Sequence, residues 1–201
     1  TQVRVCLARG DRALAEHALR DCAQRTREHP AAAQIAARLN AAHALLDIAA
    51  GRGAAAARWA ATLDPYRERE PWFLCEWEYL ILARAWLAQA DGQPALVEQA
   101  LGLLEPMLAD AEARDRVDSV LRILVVRAGA LQLFARPEEA LATLGRALVL
   151  AAPEGYVRLF LDEGQPMAAL LRIAHSRGIA PDYCARLLDV FGTLSASSSA
   201  R

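Results

Sequence analysis

Apolar residues recur along this chain at i, i+3, i+4 and i+7, as in Leu141, Leu144, Leu148 and Ala151. Nowhere do they alternate with the two-residue period of a strand. The pattern predicts an all-α protein. It is punctuated at even intervals: Gly10, Gly51 and Gly92 lie 41 residues apart, and a related turn, Ala135-Arg136-Pro137, begins 43 residues after Gly92. Each turn follows a long apolar segment and precedes a shorter amphipathic one, so the chain reads as helix hairpins in series. A hairpin needs its first helix to stop sharply, and glycine accepts the left-handed conformation that closes a helix C-terminus.

Four helix–turn–helix units are predicted. The first is a truncated helix up to Arg9 followed by Arg12 to Glu28, stopped by Pro30. The second pairs Ala31 to Ala50 with Ala54 to Leu63, stopped at Pro65. The third pairs Trp72 to Ala90 with Ala95 to Ala113, Pro94 standing near the first helical position, where its missing N–H does no harm. The fourth pairs Asp115 to Phe134 with Pro137 to Ala151. Pro153 then ends the helix, and Gly155 frees the corner Pro153-Glu154-Gly155. A fifth, irregular unit runs from Tyr156 through Ala168 to Arg177, then from Pro181 to Phe191. The tail Thr193 to Arg201, TLSASSSAR, is small and polar and reads as an unstructured linker. Alanines beside the turns (Ala49, Ala50, Ala54 to Ala57, Ala140, Ala147) allow close helix approach. The prediction is therefore a tetratricopeptide-like superhelix of antiparallel helix pairs, with about ten helices over residues 1–192 and a flexible linker over 193–201. The chain begins without Met and already in helical pattern, as a fragment would.

Composition narrows the chemistry. Hydrophobic residues make up 55% and charged residues 23%, which indicates a folded chain, and a net charge of −1 carries no footprint for nucleic acid or anionic membrane. All 23 basic residues are arginine. Without lysine there is no Schiff base and no G-x-x-x-x-G-K-[ST] phosphate loop. Cys6, Cys22, Cys75 and Cys184 form no C-x-x-C pair and read as free core thiols in a reducing compartment. No signal peptide and no 18-residue apolar run occurs, Arg84 and Arg127 interrupting the greasiest stretches, so a cytoplasmic location is expected.

No catalytic constellation is visible. His17, His29, His43 and His175 are scattered, no zinc spacing appears, and the serines lack a nucleophile elbow. Glu68, Glu70, Glu76 and Glu78 surround the start of the Trp72 helix, where negative charge suits the helix dipole. A subtler signal comes from aligning the repeats on their turns. His43, Arg84 and Arg127 each lie eight residues before the turn residue, interrupting an apolar helix. Equivalent positions of stacked repeats form a column. Since buried charges need partners, this column either lines a wet concave groove or pairs internally, for example with Asp47, Glu78 or Glu98. Trp72, Phe73, Trp77, Tyr79 and Trp86 crowd one helix, as core or as a stacking wall for a sugar or aromatic effector. The candidate ligand-binding residues are His43, Tyr79, Arg84, Trp86 and Arg127.

The run A-L-V-L-A-A-P-E-G-Y-V-R-L-F-L-D-E-G-Q-P-M-A-A-L-L, Ala147 to Leu171, resembles the end of the helical-repeat region in MalT-type regulators, the large ATP-binding members of the LuxR class. Leu82-Ala83-Arg84 with Ala88-Gln89, and E-E-A-L-x-x-L-x-x-A-L from Glu138 to Leu148, are similar to that family's repeats. The resemblance covers most of Trp72 to Leu171; before Pro65 only generic repeat character is present. It implies a parent protein with an ATPase module, this repeat region as the effector-sensing part, and a helix-turn-helix DNA-binding domain. The fragment itself is then a non-enzyme with no cofactor, no direct nucleic-acid contact and no membrane contact. Its partners would be an unknown small-molecule or protein effector and the parent's other domains. The rival reading is a protein–protein interaction scaffold with no small-molecule ligand. The Pro153 to Arg158 corner is expected to be a structural junction.

Overall fold

The computed structural model describes Val3, Val5, Cys6, Arg9 and residues 11–26, 32–63 and 72–199. The described residues form ten helices and no strand: α1 (Arg12–Thr26), α2 (Ala32–Ala49), α3 (Gly53–Ala60), α4 (Trp72–Leu87), α5 (Pro94–Ala113), α6 (Val117–Leu133), α7 (Pro137–Ala151), α8 (Arg158–Leu161), α9 (Gly164–Ser176) and α10 (Pro181–Ser199). This is the all-α, tetratricopeptide-like helix-pair repeat that the sequence pattern predicts. The chain divides into two compact units, Thr1–Leu103 and Leu104–Arg201.

The turns carry the repeat. Gly51 and Gly92 take positive φ (+71° and +68°), as a left-handed helix stop requires, and the equivalent Ala135 does the same at +56° although it carries a Cβ. Beyond the stop, the amide of Arg52 bonds to Asp47 O at 2.8 Å and that of Arg136 to Leu131 O at 3.0 Å. The same six-to-one closure recurs in Arg116 to Ala111 and Ile179 to Ala174, each satisfying a carbonyl that the helix end would leave open. Gly10 lies outside the described residues, but Asp11 N donates to Cys6 O at 2.9 Å in the same pattern.

In the N-terminal unit α2 packs against α1, α3 and α4. Two small cores result. One gathers Val3, Cys6, Ala15, Leu19, Ala42 and Leu46; the other gathers Ala41, Ala44 and Ile81 with Leu45, Ile48 and Trp59 around them. Trp77 touches both. In the C-terminal unit α6 lies along α7, and ten of its seventeen residues are buried. The lower part of α5 is tied to this pair by Glu105 to Arg127 at 3.0 Å and Glu112 to Arg146 at 2.6 Å. A Cβ at Gly145 would stand 3.1 Å from Ile179 Cγ2, so a larger residue on α7 would require the Ile179 side chain to give way by a few tenths of an ångström.

The fifth unit is irregular, as the sequence reading has it: a single turn, α8, ends just ahead of Gly164, whose φ is +70°, and α9 follows. The tail differs from that reading. The helix α10 continues through Thr193 to Ser199, where sequence predicts an unstructured linker, and Thr193 Oγ1 bonds back to Val190 O at 2.9 Å. Serine and threonine are weak helix formers, and the extension follows a helix already nucleated by Pro181–Phe191.

Candidate functional site

The residues singled out from sequence fall on both units. On α2, His43 is exposed and shares an outward strip with Asn40 and Asp47. Asp47 is engaged by Arg52 at 2.8 Å, and Arg52 also faces Glu16 at 3.9 Å. On α4, Tyr79 is buried, Trp86 is half-buried, and Arg84 is half-buried with Nη1 donating to Leu80 O at 3.2 Å. A residue advances about 100° around a helix, so Tyr79 and Trp86, seven apart, share a face. Arg84 lies about 140° from Tyr79 by the same rotation. It follows Trp77 and Ile81 on the side packed against α2. Two different faces of α4 therefore carry the three candidates. The side chains of Trp72 and Phe73, the rest of the proposed aromatic wall, lie outside the described residues, as do Glu68 and Glu70.

Arg127 belongs to the C-terminal unit. It is half-buried on α6, and Nη2 pairs with Glu105 Oε2 at 3.0 Å. Its Nε is buried without a hydrogen-bond partner among the described residues. Of the partners considered from sequence, Glu78 is buried on α4 and faces Arg38 at 3.5 Å, and Asp47 holds Arg52. Glu105 was not among them. Its i−22 relation to Arg127 exists only once α5 and α6 lie together.

A second constellation forms where α7 gives way to α8, at the corner expected to be a junction. Gly155 has φ +66°, and Tyr156 N closes the α7 terminus on Ala151 O at 3.3 Å. The buried phenol of Tyr183, on α10, donates into this corner, reaching the carbonyl oxygens of Tyr156 and, at 3.4 Å, Ala151. Burial raises the Tyr183 pKa above its usual value, the charge of Arg186 opposing this in part, so the phenol stays protonated as a donor. Phe160 meets the Tyr183 ring edge-on, centroids 6.0 Å apart at 90°, and the Arg186 guanidinium lies 5.1 Å from the ring centroid. Beside the corner opens a groove of about 350 Å³ lined by Gly155, Val157, Tyr183, Arg186, Asp189 and Val190. Sequence reasoning missed this groove because its two walls are nearly thirty residues apart.

Among the described residues no group of three His, Cys, Asp or Glu side chains is placed to hold a metal ion. No described helix is long and apolar enough to cross a membrane. Cys184 is buried, donates to Ile179 O at 3.3 Å, and has its thiol pushed up to about 11 by burial, which opposes thiolate chemistry there.

Compared with known proteins, the chain matches the family model described as MalT-like TPR region over residues 1–177. The match reaches the first residue, further than the Trp72 to Leu171 resemblance, and stops before α10. No curated protein matches the chain.

Proposed function

This chain belongs to the family of MalT-like tetratricopeptide-type repeat regions, and from that membership we propose that it senses an effector and passes its binding state to the other domains of a transcription regulator. The family match is the observation that carries the reading. It makes the chain a regulatory helical-repeat domain, a class that is generally non-catalytic and acts through parent-chain domains or effectors. Residues 1–192 would be the sensing array and 193–201 the connection toward a DNA-binding domain. ATP hydrolysis and DNA contact would belong to the parent protein, in the cytoplasm, and this segment would need no cofactor of its own.

The repeat positions His43, Arg84 and Arg127, with Tyr79 and Trp86, are the proposed effector contacts. Support comes from Arg127, whose buried Nε keeps an unused donor, a feature that a bound acceptor would satisfy. Sensing requires more than tight binding. The effector has to bind one state of the parent better than the other, and a change from 1:99 to 99:1 takes about a 10⁴-fold difference in affinity.

A thermal-shift screen of the chain against sugars, amino acids and aromatic acids tests the proposal. One chemical class should raise the melting temperature, and the rise should disappear in Arg127→Gln and Arg84→Ala while their unliganded helicity is unchanged. A flat screen would overturn the small-molecule form. If a protein that co-purifies with the chain then binds with those same two positions at its footprint, the rival reading, an interaction scaffold, takes its place.

A further inference from the structure

The groove beside the Gly155 corner is independent of the repeat positions just discussed, and it lies wholly within the C-terminal unit. One wall is the corner itself, Gly155 and Val157, which falls inside the family match. The other is α10, which falls outside it. At about 350 Å³ the groove is at the lower end of the size range of small-molecule pockets. Gly155 contributes no side chain, and a Cβ added there would meet nothing within 4 Å, so that end is open. Val157 and Val190, both half-buried, give it an apolar lining, and its rim carries exposed polar groups. Apolar walls with a few polar groups suit a small amphipathic ligand.

Arg186 is such a group. Its guanidinium is held over the Tyr183 ring, and Tyr183 is itself fixed by the corner carbonyls and by Phe160. Among the described residues it has no carboxylate partner. A stacked arginine gives up little freedom on binding, and its planar fork matches a carboxylate through two parallel N–H donors. Asp189, three residues on, is exposed and also without a described hydrogen bond or ion pair. It contributes negative charge at the same rim and limits how many negative groups the groove accepts.

The geometry points to this groove as a binding site for a small amphipathic monocarboxylate, with the carboxylate on Arg186 and an apolar body between Val157 and Val190. Occupancy would bridge the end of the matched repeats to α10, the helix that leads toward the C-terminus. The site would respond to its ligand even if the repeat positions prove inert.

The test is a titration of the full chain with phenylacetate, followed by the methyl resonances of Val157 and Val190. All four tryptophans lie before Leu103, so tryptophan fluorescence would not report on this groove. Both methyl pairs should shift saturably, and Arg186→Gln should weaken binding by about tenfold or more, the loss of a charge-assisted pair. Asp189→Asn should tighten it by about two- to fivefold, since a like charge leaves the rim. Neutral phenylacetamide and cationic phenethylamine should bind more weakly than phenylacetate. The proposal is overturned if no saturable shift appears at millimolar phenylacetate, if Arg186→Gln binds unchanged, or if phenethylamine binds best and is lost in Asp189→Asn.

Discussion

The two units solve the same packing problem with different materials. In the N-terminal unit the closest packing is done by alanine: Ala15, Ala41, Ala44 and Ala56 are all but sealed, while Trp59 and Trp77 lie only partly covered around them. Its large, wholly buried side chains among the described residues are Ile81, Leu82 and Leu103. In the C-terminal unit Phe160, Met107, Leu121, Ile123, Leu124, Leu131, Leu144 and Leu148 are wholly buried. Hydrophobic stabilisation scales with apolar area removed from water, and among the described residues the large, wholly buried side chains concentrate in the second unit. The first gains close backbone approach and gives up side-chain volume.

The comparison is most directly broken at Phe160. Phe160→Ala should cost the C-terminal unit about 3–5 kcal/mol, the usual range for emptying a buried aromatic site. Because every tryptophan lies in the other unit, denaturant unfolding followed by tryptophan fluorescence should move less than the transition followed by far-ultraviolet circular dichroism. Equal displacement of the two curves would show that the units unfold as one and that the contrast has no energetic meaning.

A smaller effect sharpens the contrast at the turns. Gly92 and Ala135 do the same job with φ of +68° and +56°, one from each unit. A left-handed alanine is strained by roughly 1–2 kcal/mol, so Ala135→Gly should stabilise by about 1 kcal/mol after the entropy of the freer unfolded chain is counted. Gly92→Ala should destabilise by a similar amount. Melting temperatures that move in the same direction for both would mean that space at the turn, not φ, decides the residue.

The smallest effect is electrostatic. The exposed pair of Glu138 and Arg177, with contacts of 2.8 and 2.7 Å, holds the Glu138 carboxyl below its usual pKa, chiefly through the hydrogen bond from Arg177. A carboxyl lowered by folding contributes stability above its unfolded pKa, and the contribution is lost as pH falls through the folded value. Glu138→Gln should therefore melt slightly lower than the parent near neutral pH, with the gap closing in acid and in high salt. A gap that widens in acid would assign the effect to something other than this pair.

Much of this was legible in the sequence. The three-to-four residue period gave every helix, and Pro137 and Ala151 bound α7 as predicted. Gly51 and Gly92 marked left-handed stops that the structure contains. What could not be read has a common cause, dependence on partners distant in the chain. Ala135 adopts a glycine conformation because Arg136 N reaches Leu131 O, and no local preference of alanine announces that. Arg127 could be recognised as a charge needing a partner, but not as the partner of Glu105. The candidate positions on α4 fall on two faces because they come from two signals, Arg84 from the turn spacing and Tyr79 and Trp86 from aromatic crowding, and neither fixes direction around a helix.

One consequence of the Tyr183 phenol reaches past binding. The family match ends at residue 177, yet the side chain that caps the carbonyls of Ala151 and Tyr156 comes six residues later. A chain cut at the family boundary would leave those oxygens to water and bare the edge of Phe160. The matched region and the packing that closes its last turn thus stop at different residues. A displacement of α10 would withdraw the Tyr183 phenol from the end of α7.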